Sequence, residues 1–178
     1  MSWISLKVAA PAERREALGA WLVARTGQAV EERDDGTLLA FAATAADADR
    51  LERELSRFLS NSDIARVNRL AAGESTQVSP STLECLVIAR HMFDLTGGAF
   101  DISIGTGLPS LELNPDDFMV QAGKSGVQVD LGGIGKGYAV DLMAELLEEW
   151  GVQRALVHGG FSSVLALEPP AGRDGWPL

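Results

Sequence analysis

Apolar and polar residues alternate over "SWISLKVA" (2–9), a spacing that predicts a short strand. The next segment, "PAERREALGAWLVARTG" (11–27), has helical character, with Pro11 suited to a first turn and Gly27 to a stop. After the turn at Asp34, Asp35 and Gly36, "TLLAFAAT" (37–44) is apolar and β-leaning. Thr44 and Asp47 then make a capping-box pattern. Ala48, Leu51, Leu55 and Phe58 follow at spacings of 3, 4 and 3, one apolar stripe of a helix. Glu52, Arg53, Glu54 and Arg57 cover the opposite face.

A second mid-chain helix is predicted from Pro80 to Thr96. Ser81 and Glu84 form its capping box, and Gly97 and Gly98 its stop. Leu83, Leu86, Val87, Ala89, Met92 and Phe93 supply its core face. "AFDISIG" (99–105) reads as a strand or extended segment. Residues 106–125, with Pro109, Pro115, Asp116 and Asp117, read as a loop. "GVQVDLG" (126–132) reads as a short strand. It feeds a helix with Tyr138, Ala139, Leu142, Met143, Leu146 and Trp150 on one side. "RALVHGG" and "SSVLALE" are predicted strands joined by a glycine turn. Helices and strands mix without a regular βαβ rhythm, which predicts an α+β fold. No internal repeat or low-complexity linker divides the chain, so a single domain is expected.

Composition narrows the function. A chain of 178 residues supports a real core. The formal charge of −10 lacks the basic stripe that nucleic acid requires, and it disfavours an anionic membrane surface. Cys85 is the one cysteine, so there is neither a disulfide framework nor metal-ligand spacing, and a small buried apolar role is expected. The N-terminal residues show no basic start and no long apolar run. No signal peptide, membrane segment or lipid anchor is therefore expected, and the cytoplasm is the default location.

The densest chemistry lies in "DLGGIGKGYAVD" (130–141). It is not a Walker A loop, because Asp130 stands where the first glycine belongs and Gly137 follows Lys136. It is not a dinucleotide fingerprint, because Tyr138 replaces the third glycine. What remains is a glycine turn that opens a helix. Such a turn offers backbone N–H groups and the positive end of a helix dipole to an anion. Lys136 adds a positive charge and Asp130 an acceptor. Freed carbonyls suit a hard cation such as Mg²⁺. The alternative is a tight corner in which glycines allow close helix–strand packing.

Elsewhere, Asp101 beside Phe100 needs a partner from a ligand or the backbone. Asp63 in "SNSDIARVN" suits a helix cap. His91 reads as surface or packing, and His158 precedes Gly159 and Gly160 at a strand end, where sites often form. No serine has a His and an acid at the spacing of a hydrolase triad.

Four segments, "ELSRFLSNSDIARVNRLA", "LTGGAFDISIG", "VDLGGIGKGYAVD" and "ALVHGG", stand in an order that resembles the ApbE-like FAD:protein FMN transferases, also labelled thiamine biosynthesis lipoproteins. The resemblance runs from about residue 45 to the C-terminus, and residues 1–40 match poorly. It implies a T-fold-related α+β domain that binds FAD, uses Mg²⁺ and transfers FMN to a Thr or Ser hydroxyl of a target flavoprotein, releasing AMP. It implies FAD contacts from Phe58, from Ala99, Phe100 and Asp101, and from Asp130. It also implies a main-chain Mg²⁺ contact from Gly133 and a substrate-facing Lys136.

The chain departs from the family at "GTGLPSLEL", where Gly-Pro-Leu is usual, and at Phe161, where a polar residue is common. Nothing matches the family's later His segment, its Asp-Pro-x-Thr-Gly motif, or the Asp and Thr that complete its metal site. A C-terminally incomplete domain is therefore expected. Its alternatives are a non-catalytic FAD-binding fragment, or a subunit completed by another copy or a partner chain.

Overall fold

The computed structural model describes residues 4–9, 12–26, 30–32, 37–40, 50, 53–149, 151–159 and 162–176. In chain order the elements are β1 (Ile4–Ala9), α1 (Ala12–Thr26), β2 (Val30–Glu32), β3 (Thr37–Ala40), α2 (Asp63–Val67), β4 (Ser75–Gln77), α3 (Pro80–Leu95), β5 (Leu111–Asn114), β6 (Met119–Ala122), α4 (Gly135–Glu149), β7 (Ala155–Gly159) and β8 (Ser163–Ala166). Short 3-10 turns occupy Leu108–Ser110 and Leu131–Gly133. The chain forms two compact units, Met1–Asp49 with Lys136–Leu178, and Arg50–Gly135. The α+β mixture matches the expectation.

In the first unit an antiparallel sheet runs in the order β2-β3-β1-β7-β8. Val8 pairs with Leu38 on one side and Ala155 on the other, so these three apolar residues share one row. They join Leu22, Val140, Ala144, Leu147 and Val157 in one buried cluster. The predicted pair of C-terminal strands forms as expected, with His158 opposite Val164. The apolar side of α4 is rotated from its predicted face. Val140, Ala144 and Leu147 are buried with Tyr138 and Ala139, whereas Leu142, Met143 and Leu146 are half-buried. Gly159 allows this packing, because a Cβ there would lie 3.3 Å from Val140 Cγ2 and 3.6 Å from the Lys136 carbonyl oxygen.

The second unit holds an antiparallel sheet of order β4-β6-β5. The region expected as a loop over 106–125 thus contains the β5–β6 hairpin. The residues that signal a loop are its turn: Asn114 Oδ1 accepts from the Asp116 N–H, and Asn114 Nδ2 donates to Asp117. Helix α3 forms close to its predicted span, but its cap is Ser79, whose hydroxyl accepts from the Thr82 N–H. Ser81, expected as the cap, is buried inside the helix. Leu83, Cys85, Leu86 and Ala89 are buried, whereas Val87 is 40% and Met92 36% exposed, so the apolar run exceeds what the helix buries. Cys85 is buried as expected, and desolvation, helped by the nearby Glu84, pushes its thiol up to about 12.

Two further expectations give way. "AFDISIG" is a series of turns rather than a strand, with Ile104 and Gly105 at positive φ. "GVQVDLG" is extended only as far as Asp130, forms no ladder and runs into the 3-10 turn. The capping-box pattern at Thr44 and Asp47 and the stripe residues Ala48 and Leu51 lie outside the described residues, as do Trp150, Gly160 and Phe161. Among the described residues no helix is long and apolar enough to cross a membrane.

Candidate functional site

Ser62, not Asp63, caps α2. Its hydroxyl accepts from the Ala65 N–H at 2.9 Å and donates to the Ser56 carbonyl, which ties down the chain between them. Asp63 is instead buried in the first turn, where it accepts from Arg66 at 2.7 Å and from the Ser79 N–H at 2.6 Å. Residues 57 and 58 are thereby presented outward. Phe58, placed by spacing on an apolar helix stripe, is 82% exposed. The Arg57 guanidinium lies over its ring at 4.8 Å and reaches Asp130 Oδ2 at 3.2 Å.

Asn68, the C-cap of α2, acts as a substitute for a neighbouring strand. Its Nδ2 donates to the Val129 carbonyl at 3.0 Å, and its Oδ1 accepts from the Val129 N–H at 2.7 Å. That pairing holds residues 127–130 extended without a ladder. The Asp130 N–H donates to the Ile102 carbonyl, and Asp130 Oδ1 accepts from the Gly132 N–H at 2.9 Å.

The third wall is the Asp101 turn. Asp101 Oδ1 accepts from the Ser103 N–H and hydroxyl, and Oδ2 accepts from the Gly105 N–H. The buried Ser103 hydroxyl also accepts from the Gly107 and Leu108 N–H groups. This network projects Ile104 outward at φ 50 and 76% exposure. A β-branched residue in that region is strained by about 1–3 kcal/mol.

Desolvation, the largest single influence on the Asp101 carboxyl, pushes it up. The hydrogen bonds from Ser103 and Gly105 together outweigh it and hold the group below the ordinary carboxylate value. A depressed native value means that the unfolded chain binds the proton more tightly. The stabilisation is therefore present above an unfolded value of about 3.9 and is lost as pH falls from there through the native value. Urea unfolding of wild type and Asp101→Asn is expected to show a stability gap at pH 6 that narrows below about pH 4. A gap independent of pH would contradict this account.

Arg57, Phe58, Asn68, Ser103, Ile104, Thr106, Gln128, Val129 and Asp130 enclose a cavity of about 480 Å³. That volume lies in the range of small-molecule sites. Of the sequence-predicted residues, the cavity brings together Phe58 and Asp130. Asp101 stands behind it through Ser103. Phe100 packs by Gly133, where an added Cβ would lie 3.6 Å from its ring. Ala99 is exposed, and its N–H donates to the Thr96 carbonyl. Lys136 is exposed in the first turn of α4 and belongs to the other unit. Sequence reasoning missed Asn68, Ser103, Ile104, Thr106, Gln128 and Val129, and read Arg57 only as part of a polar helix face. The one available signal was the serine two residues after Asp101, a spacing that suits a side-chain-capped turn.

The ApbE family model matches residues 22–108 and 106–178. The chain belongs to the ApbE family. The match begins at residue 22, earlier than the motifs alone indicate. A FAD:protein FMN transferase of Klebsiella pneumoniae is 28% identical over 171 residues, covering 79% of this chain and 48% of the relative. The flavinyl transferase ApbE of Pseudomonas stutzeri, solved in apo form, is 27% identical with a TM-score of 0.65. The match covers 75% of this chain and 47% of that one. The flavin transferase ApbE of Vibrio cholerae shares the fold over 98% of this chain and 58% of its own, with a TM-score of 0.65 at 18% identity. The chain thus spans about half the length of the ApbE relatives it matches.

The donor set was expected to include Mg²⁺ contacts. Among the described residues no three His, Cys, Asp or Glu side chains cluster as metal ligands. Both Asp101 oxygens accept internal hydrogen bonds, and Asp130 is shared between Arg57 and Gly132. The described side chains thus supply no ready three-ligand cluster, and no chemical step is assigned to a metal.

Proposed function

We propose that this chain carries the FAD-binding part of a FAD:protein FMN transferase, which moves FMN to a Thr or Ser hydroxyl of a target flavoprotein and releases AMP. The observation that carries the reading is an exposed aromatic ring, Phe58, at a cavity that the Asp130 carboxylate also lines. A planar heterocycle would stack on Phe58, and its N–H or hydroxyl groups would donate to Asp130. Ala99 and Phe100 provide a second FAD contact, and Asp101 acts by holding the 101–105 turn that follows them. The family resemblance gives Lys136 a substrate-facing role, and the Gly133 main-chain carbonyl would offer a contact to Mg²⁺.

In the transfer, the acceptor hydroxyl oxygen forms a bond to the FMN phosphorus as it loses its proton. The bond from that phosphorus to the bridging oxygen breaks, and AMP leaves with that oxygen. Such a reaction depends on positioning and on neutralising pyrophosphate charge. A second reading, FAD binding without transfer, rests on the same cavity, which offers a stacking ring and a carboxylate acceptor.

One experiment separates the two. The chain is incubated with FAD, MgCl₂ and a Thr-containing acceptor peptide, and the peptide is then weighed. A gain equal to FMN less water supports transfer. FAD fluorescence quenching without that gain leaves the binding reading. No quenching at millimolar FAD removes both.

A further inference from the structure

We propose that Arg57 exchanges partners. It pairs with Asp130 in this structure and turns to the pyrophosphate of a bound dinucleotide, releasing Asp130 Oδ2 to accept a hydrogen bond from the same ligand. The inference rests on the FAD reading and deepens it by naming the residue that recognises the phosphates.

Among the residues that enclose the cavity, Arg57 carries the cationic side chain and Asp130 the carboxylate. A pyrophosphate bears negative charge, and the chain itself carries −10, so the site needs a local cation. The Arg57–Asp130 pair is 3.2 Å apart, with the two side chains 43% and 34% exposed. Pairs so open to water contribute little, so exchanging one anion for another costs little. A guanidinium also matches phosphate oxygens with two parallel hydrogen bonds. Its stacking on Phe58 at 4.8 Å keeps it beside the ring on which the ligand would lie.

The two oxygens of Asp130 divide the work. Oδ1 accepts from the Gly132 N–H and shapes the turn, while Oδ2 carries the Arg57 contact. The oxygen that a ligand N–H or hydroxyl would use is thus the one that Arg57 holds. A ligand with a phosphate group frees it; a ligand without one must compete for it.

The test is FAD titration by fluorescence with the 178-residue chain, its Arg57→Ala and Arg57→Lys variants, and the double variant Arg57→Ala/Asp130→Asn, at low and high NaCl. Melting curves confirm folding. Arg57→Ala is expected to weaken FAD binding tenfold or more at low salt, with the gap shrinking as salt screens the charge. Arg57→Lys should fall between, because it keeps the charge and loses the fork. The loss should persist in the double variant. Unchanged affinity in Arg57→Ala overturns the proposal, as does a loss equal at all salt concentrations, which would mark a prop for Phe58. Full recovery in the double variant also overturns it, since Arg57 would then only mask Asp130. If the wild-type chain binds no FAD, the functional reading itself fails; FAD binding unaffected by Arg57 removes the exchange alone.

Discussion

Asn68→Ala is expected to destabilise the Arg50–Gly135 unit by about 1–3 kcal/mol for each of the two Val129 backbone groups it leaves without a partner. Val129 is 1% exposed, so its N–H and carbonyl have little access to replacement water. In most strands a lost side chain leaves the ladder intact, because backbone pairs with backbone. Here the side chain is the ladder: Asn68 contributes one donor and one acceptor in the places a neighbouring strand would fill. The effect reaches the site, because Asp130 is the next residue and both Asn68 and Val129 line the cavity. Urea unfolding measures the loss. Asn68→Gln should not recover it, because the longer side chain misplaces both groups. A variant within about 0.5 kcal/mol of wild type, the range of an ordinary surface change, would show that residues 127–130 are held by other means.

The parts of the fold that were legible in the sequence are those whose hydrogen bonds stay local or whose pattern is long. Helix α3 announces itself by sixteen residues of period and a clear glycine stop, and β7 with β8 by two short apolar runs around glycine. The faces of α3 and α4 were less legible. Each helix has more apolar residues than it buries, and only the neighbouring sheet decides which stay exposed. The cavity walls were illegible for a different reason. "AFDISIG" has a strand's composition, yet Asp101 captures the Ser103 and Gly105 N–H groups, and that local bonding outcompetes a ladder. "GVQVDLG" has a strand's composition too, but its partner is a side chain 61 positions away. Phe58 fits a helix stripe by spacing, but the Ser62–Ser56 bond and the Phe58 N–H donating to the Ser56 hydroxyl hold a turn there, and its ring faces solvent. The motif resemblance named Phe58 and Asp130 but not Arg57, whose partners are visible only in three dimensions.

Phe58→Ala is expected to produce the opposite profile to Asn68→Ala. A ring 82% exposed buries little area, so its loss should change stability by no more than about 0.5 kcal/mol. An exposed aromatic beside a cavity lacks a folding role of comparable size, and the proposed FAD would cover it. Stacking of an aromatic ring on a nucleobase contributes about 1–3 kcal/mol. FAD affinity is therefore expected to fall by roughly 5- to 150-fold, given that 1.4 kcal/mol is tenfold. Phe58→Trp should retain most of the binding, because it preserves the flat surface and the seat for the Arg57 guanidinium. The measurement pairs a melting curve with a fluorescence titration. A folded Phe58→Ala chain that binds FAD as tightly as wild type would remove Phe58 from the site and, with it, the stacked position from which Arg57 is proposed to reach the phosphates.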